Sequence, residues 1–203
     1  MNVHDDNGSQ LKQVTNFKYL GSTIEETGGC ELEVKERVRA AWNKWREVKG
    51  VVCDKRMPRR VKVKVYQTMI RPVMMYGAET WALRRKEEQL LMRTEMRMLR
   101  WILGVSLWER CTNEEIRKSA GVTCISEKLR DARLRWFGHV WRREDQSPIQ
   151  RARKVPVRGR RSVGRQRLRW RDIVRKDMER RGVQEHDAGE RSRWRRMTRA
   201  ADP

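Results

Sequence analysis

The sequence predicts a mainly α-helical chain with a short β-hairpin at its N-terminus, a helical bundle, a helix-turn-helix-like hairpin and a basic helical extension. Three observations carry that reading. Apolar residues recur at helical spacing in successive segments between Glu31 and Trp141. Asn7-Gly8, a strong two-residue turn signal, separates short apolar segments near the start. Glycines and prolines fall between the periodic segments rather than inside them, apart from Pro72 and Gly138.

Residues 1–24 read as β. Val3, the polar cluster Asp5 to Ser9, then Leu11 and Val14 form the expected hairpin, and Phe17, Tyr19 and Thr23 share one face of a following strand. Gly28-Gly29 breaks it. From Glu31 the period becomes helical. Leu32, Val34, Val38, Ala41, Trp42, Trp45 and Val48 make an apolar stripe, and Gly50 is a plausible stop. Pro58 suits a helix start. Val61, Val65 and Met69 repeat every four residues; Val61, Val63 and Val65 also alternate as a strand would, but the pattern runs on to Met69 and favours a helix, kinked at Pro72.

A long amphipathic helix follows over about 85–103, lined by Leu90, Leu91, Thr94, Met98, Trp101 and Ile102 and ended by Gly104. Thr112-Asn113-Glu114-Glu115 is a capping box for a short helix to Ala120, and Gly121 makes the turn. Ser126 is expected to cap the next helix, with Leu129, Ala132, Trp136, Phe137, Val140 and Trp141 inward and Arg130, Arg135, Arg142 and Arg143 outward. Residues 146–165 read as a linker, and two weaker helices, about 166–181 and 185–200, finish the chain. The expected organisation is a hairpin over 1–28, a helical domain over 29–110, a helical hairpin over 111–145, and an Arg-rich linker with terminal helices over 146–203.

Charge narrows the function. The net charge is +22, and of the 49 basic residues 36 are Arg. Arginine's planar fork grips phosphate with two parallel hydrogen bonds and stacks on bases. Between Arg151 and Arg171 there are ten Lys or Arg residues and no Asp or Glu. Such a run does not bury itself in a core, because each unpaired cation costs several kcal/mol or more on desolvation. It therefore stays solvated or meets a polyanion. Nine tryptophans add π faces for bases or guanidiniums, although most tryptophans fill cores. No apolar run approaches the length of a membrane span, and residues 1–20 lack a signal-peptide core. Cys30, Cys53, Cys111 and Cys124 lie far apart and read as free thiols of a reducing compartment. No metal or other cofactor is expected, since Cys111, Cys124 and His139 lack the close ligand pair that structural zinc favours.

An ordered set of short motifs sharpens the reading. Phe17-Lys18-Tyr19-Leu20-Gly21-Ser22-Thr23-Ile24, Tyr76-Gly77-Ala78-Glu79-Thr80-Trp81, Leu99-Arg100-Trp101-Ile102-Leu103-Gly104 and Thr112-Asn113-Glu114-Glu115 are followed by Leu134-Arg135-Trp136-Phe137-Gly138-His139-Val140 and Gly164-Arg165-Gln166-Arg167-Leu168-Arg169-Trp170. In this order they resemble the C-terminal part, thumb and basic tail, of the reverse transcriptase of non-LTR (LINE-type) retrotransposons, RTE-like elements in particular. The resemblance implies that Phe17, Tyr19, Leu20 and Gly21 belong to a primer-side hairpin, that residues 31–104 are thumb-like helices gripping a primer–template duplex, and that Arg135, Trp136, His139 and Arg142 lie in a nucleic-acid-contacting module.

The family's metal-binding Asp pair lies upstream of the Phe17 motif. Asp5-Asp6 is the only adjacent Asp pair here, with four residues before it, and Asn7-Gly8 makes it a surface turn rather than a two-metal site. The expectation is therefore a reverse-transcriptase fragment without its active site, not an enzyme on its own. It would bind nucleic-acid backbone: RNA–DNA hybrid, DNA or RNA. Two alternatives remain open. The chain is part of an active RNA-directed DNA polymerase when joined to upstream palm and endonuclease domains of a parent polyprotein, or it is a decayed retrotransposon product with no selected role. A nuclear protein, or a cytoplasmic ribonucleoprotein, fits either partner.

The residues expected to contact nucleic acid are Arg130, Arg133, Arg135, Arg142 and Arg143 on the helical hairpin and Arg158, Arg160, Arg161, Arg165, Arg167, Arg169, Trp170 and Arg171 beyond it. The hairpin at 112–142 reads either as a helix-turn-helix entering a major groove or as two helices packed on the thumb. Trp42, Trp45, Trp101 and Trp136 fall on apolar stripes and are expected in the core. Trp170 and Trp194, set among arginines, are candidates for base stacking or for a cation–π clamp. His139 reads as a packed or capping side chain ahead of a phosphate contact.

Overall fold

The structure, a computed structural model, describes residue 10 and residues 13–155 and 168–200. The turn expected at Asn7-Gly8 and the arginines at 158, 160, 161, 165 and 167 lie outside the described residues. The fold is mainly α, with one antiparallel hairpin of β1 (Asn16–Tyr19) and β2 (Ser22–Glu25). This differs from the single strand expected over 17–24. The chain reverses at Leu20-Gly21, both with positive φ (47° and 83°), the two-residue turn whose twist matches paired strands. Leucine rarely adopts that conformation, so its sequence carries no turn signal.

The hairpin is tied to α1 (Glu31–Val52) by carboxylates. Glu25 accepts from the Leu32 N–H (2.8 Å) in the first turn of α1, where helix N–H groups lack partners. Glu33 and Glu36 accept from the Thr23 N–H and hydroxyl (both 2.6 Å). Tyr76 donates to Leu20 O at 3.0 Å, beneath the Arg37 guanidinium.

α2 (Arg59–Val65) runs through a π turn (Tyr66–Ile70) into α3 (Arg71–Met74). The helix favoured by sequence is present, and the wider turn lies immediately before Pro72, which has no N–H to give to the helix ladder. The buried stripe is Val63, Tyr66, Ile70 and Met74; Val61 and Met69, expected inside, are about two-fifths exposed. α4 (Arg85–Leu103) spans the expected helix, and Gly104 closes it at φ 68°. Trp101, expected in the core, is 62% exposed. α5 (Asn113–Ala120) carries the capping box, with Thr112 accepting from the Glu115 N–H and Glu115 from the Thr112 N–H.

α6 (Ile125–Trp141) is capped at Cys124, so Ser126 falls inside its first turn rather than before it. Part of the expected linker is helical: α7 (Pro148–Lys154). Its buried Gln150 donates to the carbonyls of Val140 (2.8 Å), Trp141 and Arg143, which ties α7 to the end of α6. α8 (Trp170–Arg181) and α9 (Arg191–Thr198) complete the described elements, joined by a 3-10 turn (Glu185–Gly189).

Two apolar clusters meet along α6. Ile125 and Leu129 join a core built from α1 through α5. Leu134 and Phe137 join a second made with Val174, Met178, Val183, Ala188 and Trp194. The C-terminal helices are therefore packed structure, not a detached arm.

Candidate nucleic-acid interface

α6 and α9 place basic side chains against one another. On α6, Arg135 and His139 fall one turn apart on one face, and Arg142 and Arg143 follow immediately past the helix end. Arg191, Arg195 and Arg199 repeat every fourth residue along α9 and its end. These seven residues line a cleft of about 650 Å³ whose single carboxylate among the described residues is Asp131. The hydrogen bond from the Trp194 indole to Leu134 O (2.8 Å) holds the two helices together at its floor.

The cleft's charge is largely uncompensated. Among the described residues, Arg135, Arg142, Arg143, Arg191, Arg195 and Arg199 form no ion pair. Arg142 donates instead to Ala188 O at 2.7 Å, and Arg143 donates to His139 Nε2 at 3.3 Å. That second contact holds the imidazole beside the Arg143 guanidinium. Its ring stacks on Trp136, 5.2 Å between centroids. Burial, and then the nearby Arg191 charge, push the Arg142 guanidinium below its ordinary value. Burial pushes the Asp131 carboxyl up, against the pull of Arg135 and Lys128 and a hydrogen bond from the Ala200 N–H. A carboxylate so placed offsets little of the six guanidiniums. Anionic oxygens with fork geometry are what this cleft can hold.

The residues expected to contact nucleic acid divide. Arg135, Arg142 and Arg143 come together in the cleft. Arg130, expected outside, and Arg133 are 8% and 6% exposed, and both Nε groups donate to the buried Asp177 of α8, at 3.3 and 2.7 Å. Arg130 also pairs with Glu127. Their charge is spent inside the protein, so they are corrected to structural residues. Arg169 is exposed just before α8, and Arg171, also exposed, stands 4.0 Å from Glu185. Trp170 is half-buried and donates to Glu79 O at 2.6 Å, which ties α8 to the first core. Trp194, a candidate for base stacking, is 2% exposed and belongs to the second core instead. On the hairpin, Phe17 and Tyr19 stack at 6.4 Å and remain exposed, as does Leu20; Gly21 occupies the turn.

Arg191, Arg195 and Arg199 were not among the expected contacts. Their four-residue spacing is a legible signal, the same one that marks an apolar stripe.

Among the described residues no group of three or more His, Cys, Asp or Glu side chains gathers to hold a metal, and no described helix is long and apolar enough to cross a membrane. The four cysteines are free.

Fold and cleft define a mainly helical protein with a cationic groove between its C-terminal helices. The chain is 27% identical over 175 residues to an uncharacterized transposon-derived protein of Caenorhabditis elegans, covering 84% of this chain and 62% of the worm protein. It thus spans about three-fifths of that relative's length. No family model matches, and no solved structure matches.

Proposed function

We propose that this chain is transposon-derived and binds nucleic-acid backbone, as the thumb-like and C-terminal part of a non-LTR reverse transcriptase that does not polymerise on its own. The observation that carries the binding is the α6–α9 cleft, where, among the described residues, six arginines meet one carboxylate. The ancestry is supported by the worm relative and by the ordered motifs from Phe17 to Trp170. Guanidiniums on two packed helices fix a phosphate backbone without reading bases, so affinity is expected to exceed specificity. RNA–DNA hybrid or duplex is the proposed partner, and the nucleus its place.

The test is equilibrium binding of RNA–DNA hybrid and of double-stranded DNA across a salt series, with wild type and Arg135→Glu/Arg195→Glu. Both side chains are exposed and, among the described residues, form no ion pair, so the fold tolerates the exchange. Each lost phosphate contact lowers the log–log salt slope by about 0.9. The double variant should therefore bind at least ~10-fold more weakly to all sequences, with a slope flatter by about two. Unchanged affinity and slope would remove the cleft from the interface. Deleting the C-terminal helices is not an equivalent test, because it strips Leu134 and Phe137 of their packing partners.

A further inference from the structure

A second surface carries aromatic rather than purely cationic character. Trp101 is 62% exposed, and Trp108, on the 3-10 turn Leu107–Glu109, is 93% exposed. Single exposed apolar residues are ordinary. Here, however, Trp101 and Leu107 line a groove of about 1160 Å³ along the outer side of α4, with Met92 and Met96 beside them. Arg93, Arg97 and Arg100 line the same groove, and its lining includes no carboxylate. All three guanidiniums are held in place, Arg93 by donating to Gln89 O at 3.2 Å. Arg97 lies 5.4 Å over the Trp42 ring, and Arg100 donates to Cys111 O at 2.6 Å. The groove shares no residue with the α6–α9 cleft.

We propose that this groove binds unpaired nucleotides, with bases stacking on Trp101 inside it and on the exposed Trp108, one residue past its Leu107 edge, and phosphates following Arg93 and Arg97. The inference rests on the nucleic-acid reading above and names a ligand for a separate site. A duplex hides the faces of its bases, whereas a single strand presents them, and every base has a face to offer. The complementarity of charge is to a polyanion. Along α4 the apolar lining residues Met92, Met96 and Trp101 alternate with Arg93, Arg97 and Arg100, rather than forming the apolar centre with a polar rim that marks a protein interface.

The test uses the full chain and a labelled oligo-dT of about 15 nucleotides, within the range of single-strand site sizes, beside a duplex of equal length. Trp101→Ala/Trp108→Ala should weaken oligo-dT binding by about fivefold to 150-fold for each base that loses its stack, and leave duplex binding and both salt slopes unchanged. Trp101→Phe/Trp108→Phe should keep most of the affinity. Equal losses for strand and duplex, or no loss for the strand, overturn the proposal. So does a variant that abolishes self-association in sedimentation without touching oligo-dT binding, which would make the groove a protein interface. If wild type binds duplex in a manner sensitive to Arg135→Glu/Arg195→Glu while the tryptophan variants change nothing, only the groove assignment fails. If wild type binds neither, the nucleic-acid reading fails with it.

Discussion

Trp194 seats its indole against Gly138. A Cβ on Gly138 would fall 2.5 Å from Trp194 Cδ1 and 3.0 Å from Arg142 Nη1, and the same bare stretch of helix lets the indole N–H reach Leu134 O. Gly138→Ala should gain up to about 1 kcal/mol of helix propensity, but it must displace a ring packed on Phe137 and break a buried hydrogen bond. Overpacking of this kind costs about 1–3 kcal/mol. The net expectation is lower stability together with a disturbed cleft: urea midpoint and duplex affinity fall together. A variant of wild-type stability and unchanged binding would show that α9 does not need this close approach.

Asp177 is the single carboxylate on which the Nε groups of Arg130 and Arg133 converge, and it is 3% exposed. Asp177→Ala leaves two guanidiniums buried without it, although Arg130 keeps Glu127. Removing one partner of a buried ion pair costs about 3–5 kcal/mol. Asp177→Asn should cost less, because its amide oxygen still accepts from one Nε. Chemical denaturation of both variants checks the order; equal midpoints would deny the pair its structural role.

The long helices were legible because their apolar residues keep the helical period over several turns. α4 begins and ends where Leu90, Leu91, Met98 and Gly104 place it, and α5 follows from its capping box. What failed was partnership at a distance. Arg130 looks solvent-facing until Asp177, 47 residues later, is brought against it. Trp194 looks free among arginines until Gly138 receives it. Trp101 sits on an apolar stripe, yet no described element covers it. Half of the cleft was legible on α6 and just past its end, at Arg135, Arg142 and Arg143. The α9 half required seeing that the short final helix packs back.

Cys30 caps the start of α1, where the helix terminus ordinarily favours a thiolate. Burial and the charges of Glu87 and Glu25 outweigh it and push the thiol up to about 11. At pH 8 its thiolate is then on the order of one part in a thousand, against roughly a quarter for an ordinary thiol of pKa about 8.5. Timed alkylation with iodoacetamide, mapped by mass spectrometry, should label the exposed Cys53 well before Cys30. Cys30 labelling should climb steeply as pH is raised past 9 toward 11. Equal labelling rates at pH 8 would contradict the buried, acid-flanked setting.

Glu95, wholly buried on α4, joins three other elements. It accepts from the Tyr66 hydroxyl in the π turn and the Ile125 N–H at the start of α6, both at 3.0 Å, and from Arg117 Nε of α5 at 3.5 Å. Burial raises its pKa, against the opposing pull of the Ile125 N–H, Arg71, Tyr66 and Arg117. The folded state therefore holds the proton more tightly than the unfolded chain. That contribution to stability is whole below the ordinary carboxylate value, about 4.3, and is lost as pH rises through the raised folded value. Glu95→Gln keeps an acceptor oxygen for Tyr66 and Ile125 but does not ionise. Wild type should thus lose stability relative to Glu95→Gln as pH rises from about 4 toward neutrality. Taking the difference between the two proteins cancels every other titrating group. Glu95→Ala, which leaves the Tyr66 hydroxyl and the Ile125 N–H without their acceptor, should cost about 3–5 kcal/mol across the range. Urea midpoints from pH 4 to 7.5 decide the matter: a wild-type minus Gln difference that is flat, or that grows with pH, would mean the carboxylate is ionised in the fold and held by its arginines.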